Sequence, residues 1–278
     1  MNQNELIRNK MQLSRLDSMS NQSGFTLVEL MIAGVLSLIL MAGVIQLFLG
    51  SNQNYTMQNS LAIIQEDGRF ALMFFKDQIQ KAGWVEDFSL GSIDPIFLDA
   101  DSTFDGDDFD SITIAYKVAV GSEKNRDCNG EPTATGAVRN RFYVDDSKNL
   151  MCAGNGGRTA QPLLSNVDQF QVLYGIDTDN LACADGAVNR FVNASSLPVG
   201  ATILSVRVAL LLKSESNVFP SAESRTFEVL DKTHTPKPAD RLVRRLFQQT
   251  VYMPNAVYSS AGSPEASIKC MISKVKAS

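Results

Sequence analysis

Residues 23–50, SGFTLVELMIAGVLSLILMAGVIQLFLG, form an apolar run with one carboxylate, Glu29, near its start. Between Leu30 and Leu49 the only strongly polar side chain is Gln46. A helix of about 20 residues is about 30 Å long, which matches the hydrocarbon core of a bilayer. Because apolar side chains occur on every face of this run, it predicts a membrane span rather than a helix buried in a soluble core.

The residues on either side of the span predict its orientation. Arg8, Lys10 and Arg15 precede it, and no basic residue follows until Arg69. Cytoplasmic flanks of membrane helices are enriched in basic residues. We therefore expect the N-terminus in the cytoplasm and the remaining chain on the far side of the membrane.

Glu29 is costly in this position, because a carboxylate in a bilayer is expensive and usually functional. Its place in the first turn of the helix lowers the cost, since the helix dipole favours negative charge there. A cut between Gly24 and Phe25 would create an α-amino group four residues from Glu29, on the same helix face. That amine could pair with Glu29 in the same subunit or in a neighbour. The alternative is a capping or interfacial carboxylate without a partner.

The segment GFTLVELMIA, residues 24–33, resembles the type III signal of type IV prepilins. The resemblance implies cleavage after Gly24 by a prepilin peptidase of the inner membrane, which also N-methylates Phe25. It further implies that Glu29 pairs with the N-terminal amine of an adjacent subunit during filament assembly. The exported part of the chain would then be periplasmic until the subunit enters a pilus.

Further blocks of the sequence are similar to the minor pilins of the PilW family. These blocks are LAIIQEDGRFALMFFKDQIQKAGW (61–84), VDQFQVLYGIDTD (167–179), ILSVRVALLLKS (203–214) and DRLVRRLFQQTVYMPN (240–255). The resemblance implies partners among other minor pilins, the major pilin and the pilus assembly platform. It also implies a role in initiation of the filament or in its tip complex, in support of twitching, adhesion or DNA uptake.

Two alternatives stay open. A type II secretion pseudopilin has the same signal and fold class. A membrane-anchored periplasmic domain that binds a ligand or uses a metal belongs to another class, and absence of processing at Gly24 would favour it.

The fold class predicted is α+β and pilin-like, with one long helix followed by a mainly antiparallel sheet. Apolar residues at helical spacing extend the helix from about Phe25 to Ala82, with Gly68 at a missing step and Gly83 as C-cap. The apolar positions are Leu61, Ile64, Leu72, Phe75 and Ile79. The stripe LMFF (72–75) is interpreted as core.

Runs rich in β-branched and aromatic residues predict strands beyond Gly83. They are 111–120, 139–146, 168–176, 203–212, 224–230 and 244–253. The predicted organisation is a leader peptide (1–24), the transmembrane and assembly half of the helix (25–49), its amphipathic half (50–83) and a β-rich periplasmic domain (84–278).

Four cysteines lie beyond the span without a CxxC pair, which does not suit zinc but does suit disulfides in an oxidising compartment. Three pairings are possible. We favour Cys128–Cys152, which bracket a candidate strand region. Cys183–Cys270 would then tie the C-terminal tail to the sheet.

Other kinds of site are disfavoured. The acidic clusters at 99–110 and 177–186 lack the ligand spacing of an EF-hand, and GNGG (154–157) lacks the lysine of a P-loop. We predict no metal ligand and no cofactor. We also predict that the chain is not an enzyme, since the only histidine, His234, lies in a proline-flanked loop. With 25 basic and 30 acidic residues the net charge is −5, so nucleic acid is not an expected partner. The cluster Arg241, Arg244, Arg245 is interpreted as a solvated or subunit-contact face.

Overall fold

The computed structural model describes residues 24–97, 105–106, 109–178, 186–198, 201–222 and 225–256. It confirms the α+β class, with one long N-terminal helix, α1 (Leu27–Lys81), followed by antiparallel sheets. The chain divides into two compact units, with the boundary between Asn54 and Tyr55. The unit that begins at Tyr55 is called the head below.

The first unit contains the apolar half of α1. From Leu27 to Leu49 every residue is exposed. Among the described residues, α1 is the only helix long and apolar enough to cross a membrane by length and composition. Its most apolar window has a mean hydropathy of 2.5, and none of that window is buried. This surface is suited to lipid or to other apolar helices.

The head contains the amphipathic half of α1, whose spacing was predicted correctly. Ile64, Phe75 and Ile79 are buried, and Leu61 and Leu72 are half-buried. The ring of Phe75 lies between Phe142 and Phe170, with centroid distances of 5.3 and 5.5 Å. The LMFF interpretation is wrong for Met73, which is 71% exposed because it points away from the sheets.

Gly68 fills the missing step in the apolar pattern because a ring lies against it. A Cβ atom at Gly68 would be only 2.4 Å from ring atoms of Phe247. The helix ends one residue earlier than predicted, at Lys81, and Gly83 then takes the left-handed φ of +74° expected of a C-cap. The N–H of Gly83 donates to the carbonyl of Ala115 at 2.8 Å, which ties the helix end to the first sheet.

Ten strands follow α1 within the described residues. The first sheet has the order β1-β2-β3-β4, the second β10-β7-β5-β6, and β8 and β9 form a separate hairpin. All named pairs are antiparallel. The strands are β1 (Ile112–Lys117), β2 (Ala137–Val144), β3 (Leu150–Gly154), β4 (Gln161–Leu164), β5 (Val167–Asp177), β6 (Arg190–Val192), β7 (Thr202–Lys213), β8 (Phe227–Val229), β9 (Lys232–His234) and β10 (Arg244–Tyr252).

Each of the six predicted runs overlaps a strand, whereas β3, β4, β6 and β9 were not predicted. These four strands have three to five residues each, too few for an alternating pattern to show. The longest strands, β5 and β7, are buried along most of their length and pair with each other at the centre of the second sheet.

Candidate assembly site

At the N-terminus of α1, the carboxylate of Glu29 follows the exposed residues Gly24 and Phe25 by a few positions. Thr26 caps the helix: its Oγ1 accepts the N–H of Glu29 at 3.2 Å, and its carbonyl accepts the N–H of Leu30 at 3.2 Å. A Thr followed three residues later by Glu is the spacing of a capping box. Glu29 is exposed in the first turn, where the partial positive charge of the helix end is strongest.

The predicted cleavage site lies immediately before this turn. A Cβ atom added at Gly24 would have no further group of the described residues within 4 Å, and the side chain of Phe25 is 86% exposed. Phe25 precedes the first helical residue, Leu27, by two positions. Within the described residues, nothing covers the Gly24–Phe25 bond. Cleavage, N-methylation of Phe25 and pairing of Glu29 stay predictions.

The predicted Cys128–Cys152 disulfide is confirmed. Cys152 lies in β3 and Cys128 in the loop before β2, with a sequence separation of 24. Asn140 connects this loop to the helix, since its Oδ1 accepts the N–H of Cys128 and its Nδ2 donates to Gln78 Oε1, both at 2.9 Å. A cross-link of this span contributes about 3.5 kcal/mol through chain entropy. Cys183 and Cys270 lie outside the described residues.

The GNGG segment has a structural role beside the disulfide. Asp127 accepts the N–H groups of Asn129 and Glu131 through Oδ1, at 2.9 and 3.0 Å, and that of Gly156 through Oδ2, at 2.7 Å. A Cβ at Gly154 would be 2.0 Å from Asp127 Oδ2. The glycines therefore allow the backbone to approach a buried carboxylate of the same chain.

A buried charge cluster lies where β5, β7, β9 and β10 meet. Asp168, only 9% exposed, accepts hydrogen bonds from Arg244 Nε at 2.6 Å and Lys213 Nζ at 3.0 Å. Arg244 also pairs with Asp240. His234 Nε2 lies 3.1 Å from Asp168 Oδ2 without making a hydrogen bond to it. Besides His234, the cluster contains two carboxylates, Asp168 and Asp240, and two cations, Arg244 and Lys213.

This cluster corrects two sequence-based interpretations. Arg241 and Arg245 are exposed as expected, but the side chain of Arg244 is only 5% exposed because two aspartates draw it inward. His234 is the last residue of β9, paired with Phe227, and not part of a loop. Sequence reasoning missed Asp168, which is the second residue of β5 and is followed by a glutamine, so it looks like an ordinary charged residue at the start of a strand.

The charges of the cluster stabilise one another. Burial would raise the pKa of Asp168, but hydrogen bonds from Arg244 and Lys213 outweigh it and hold that pKa below its ordinary value. The hydrogen bond from Arg244 likewise lowers the pKa of Asp240. The four charged side chains of Asp168, Asp240, Arg244 and Lys213 pair with one another, which suits a structural ion cluster rather than a reactive centre.

Asp110, which precedes β1, differs from Asp168 in that its pKa is raised rather than lowered. Its Oδ2 accepts the N–H of Val172 at 2.7 Å and its Oδ1 that of Gly106 at 3.0 Å. Burial raises the pKa of Asp110 to about 7, and the charges of Asp105 and Asp231 add to this, against the lowering effect of the two N–H donors.

The head is therefore expected to be more stable at pH 5 than at pH 8. The pKa of Asp110 is higher in the folded chain than in the unfolded chain, so its contribution is complete below about pH 4 and is lost as pH rises through about 7. At about 1.4 kcal/mol per pKa unit, the loss is on the order of 1–4 kcal/mol. Urea unfolding of the detergent-solubilised chain, followed by fluorescence of Trp84, measures it, because Trp84 is the only tryptophan and packs in the head.

Asp110→Asn should flatten this pH dependence, and Asp94→Asn, at an exposed position, should retain it. An Asp110→Asn chain with the wild-type difference between pH 5 and pH 8 would rule out Asp110 as the cause.

The predicted absence of a metal site can be compared with only part of the chain. The described residues contain no group of three or more His, Cys, Asp or Glu side chains arranged to hold a metal ion. Most of the acidic clusters at 99–110 and 177–186 lies outside the described residues.

Two family models match the chain. The model described as Type IV Pilus-assembly protein W matches residues 140–255, and the prokaryotic N-terminal methylation motif matches residues 19–45. No curated protein matches the chain. Among solved structures, a type IV-like pilin from Thermus thermophilus is similar over 53% of this chain and 78% of its own, at 15% identity and a TM-score of 0.31.

The methylation motif and the exposed apolar helix that overlaps it define a type IV pilin-like protein with an N-terminal membrane anchor. The PilW model matches less than half of the chain, a segment that begins in β2 and ends just after β10. Pilin families consist of structural proteins.

Proposed function

We propose that this chain is a minor pilin of a type IV pilus that takes part in initiation of the filament or in its tip complex. The observation that carries the proposal is the start of α1, where an open Gly24–Phe25 bond precedes an apolar helix with Glu29 in its first turn. The PilW match to residues 140–255 supports a role in the pilus rather than in type II secretion.

The chain would have four functional parts. Residues 1–24 are the leader, and 25–49 form the transmembrane and assembly half of α1. Residues 50–83 are the amphipathic half, most of which packs in the head, and 84–278 form the periplasmic domain. The subunit waits in the inner membrane with its N-terminus in the cytoplasm, and later leaves it to enter the pilus.

The partners in this proposal are the prepilin peptidase, the assembly platform, the major pilin and other minor pilins. Phe25 and Glu29 carry assembly, and the head selects neighbours. The chain is a substrate of an enzyme rather than an enzyme itself. It needs no cofactor and has no direct nucleic-acid partner.

Processing is the first expectation to test, by intact mass and N-terminal sequencing of the membrane-extracted chain. We expect a chain that begins at N-methylated Phe25, and a chain that keeps Met1 in cells without prepilin peptidase. A chain that begins at Met1 while the peptidase is active would refute the proposal. The span would then be only an anchor, and the function would have to lie in the head.

A further inference from the structure

The second sheet ends in an unpaired strand. β10 has nine residues, contains no proline, and pairs on one side only, with β7. None of its residues makes a backbone hydrogen bond to a described residue other than through that ladder. Exposed strand edges of this length readily accept another strand, so proteins usually shorten or cover them.

The other described sheet edges are protected in those ways. Backbone groups of Gly83, Trp84, Pro95 and Phe97 bond to the outer side of β1. β4 has four residues, one of them Pro162, and β6 has only three. β10 is thus the edge among the described strands that is both long and open.

The register shows which groups of β10 face outward. Ser214 donates its N–H to the carbonyl of Val243, and Met253 donates its N–H to that of Leu204, so residues of odd number in β10 bond to β7. The even-numbered residues direct their N–H and C=O groups away from the sheet. These residues are Arg244, Leu246, Gln248, Thr250 and Tyr252.

Two features beside this edge indicate what an added strand would carry. A groove of about 200 Å³ beside the start of β10 is lined by apolar side chains of Met57, Leu61 and Phe227. Arg225 and Arg245 line the same groove, are exposed and have no carboxylate partner in the described part of the chain. Arg225 lies over the ring of Phe227, 5.3 Å from its centroid, and neither arginine is neutralised by a described carboxylate, so both leave positive charge beside this edge.

We infer that the outer edge of β10 receives an extended segment of a different protein chain by strand addition, with an apolar side chain in the groove and an acidic one beside Arg225 and Arg245. Main-chain hydrogen bonds to the even-numbered residues provide binding, and the groove and the two arginines provide selectivity. This inference goes beyond the proposed function and does not depend on cleavage at Gly24.

The test places the photo-crosslinker p-benzoylphenylalanine at position 252, where Tyr252 is 48% exposed at the open edge. The full chain is expressed in its own cells and irradiated in their membranes. The crosslinked peptide is then sequenced by mass spectrometry. We expect one main adduct, to an acidic segment of another chain.

Gln248→Pro removes an outward N–H without breaking the ladder to β7, so it should lower the adduct yield at least tenfold. Arg245→Glu should lower it about fivefold or more, and Arg190→Glu, at the short β6 edge of the same sheet, should not. Trp84 fluorescence of each variant checks that the head is folded. If Gln248→Pro does not fold, the adduct yield of Arg245→Glu tests the inference.

Three outcomes would overturn the inference. They are the absence of an adduct, an adduct to a second copy of this chain, and an adduct whose yield is the same in Gln248→Pro and Arg245→Glu as in the parent chain.

Discussion

Replacing Glu29 with Gln is expected to leave a chain that is processed and membrane-bound but at least tenfold depleted from sheared pili. The reason is electrostatic. An unpaired carboxylate costs about 2.5 kcal/mol at the centre of a bilayer and less near its surface. In the proposed assembly this cost is relieved when the carboxylate meets the N-terminal amine of a neighbour, so the pairing drives the subunit from lipid into the filament. A neutral side chain removes that drive.

Glutamine separates this role from helix capping. Gln at the third helical position can complete a capping box as Glu does, and the Thr26 hydrogen bond to the backbone of residue 29 is unaffected by the substitution. If capping were the role of Glu29, the Gln variant would assemble normally and only Glu29→Ala would show a defect, through a loss of about 1 kcal/mol of helix stability.

The measurement is the ratio of the chain in sheared filaments to the chain in membranes, by immunoblot, in piliated cells with no other copy of it. Intact mass confirms that each variant begins at Phe25. Glu66→Gln, an exposed carboxylate in the head half of α1, is the matched control and should assemble normally. Normal incorporation of Glu29→Gln would refute the charge-pairing role.

The helix could be predicted because its apolar residues recur at helical spacing, and the central strands because they are runs rich in β-branched and aromatic residues. The apolar steps through Ile64, Phe75 and Ile79 placed α1 to within two residues at each end. Gly68 interrupts that pattern, and sequence alone does not say why. The ring that it accommodates belongs to Phe247, which lies far along the chain in β10.

The charge cluster was hidden from the sequence for the same physical reason. Asp168 and Arg244 are 76 residues apart, and each looks like an ordinary charged residue at the end of a strand. A register shift in β5 between Val167 and Gln169 leaves Asp168 as a bulge residue, which frees its side chain to face the start of β10. A bulge depends on the pairing with β7, so no period within β5 reports it.

Asp168→Asn is expected to destabilise the head by about 3–5 kcal/mol, because it leaves a buried cation without its counter-charge. The side chains of Asp168 and Arg244 are 9% and 5% exposed, so solvent cannot compensate for the lost charge. Asp77→Asn is the matched control: it breaks the Lys81 ion pair at the surface, where both side chains are about half exposed, and should cost less than about 1 kcal/mol.

The charge balance of the cluster also predicts how the effects of two substitutions on stability combine. With Asp168 neutral, the cations Lys213 and Arg244 face only Asp240, and removing the Lys213 charge restores one cation to one carboxylate. The double variant Asp168→Asn, Lys213→Gln should therefore be more stable than Asp168→Asn alone, although Lys213→Gln by itself is destabilising. Urea unfolding of the detergent-solubilised chains at pH 7, followed by Trp84 fluorescence, measures all four free energies. Additive losses would mean that Asp168 stabilises the head through hydrogen bonding and packing, and not through the balance of charge in this cluster.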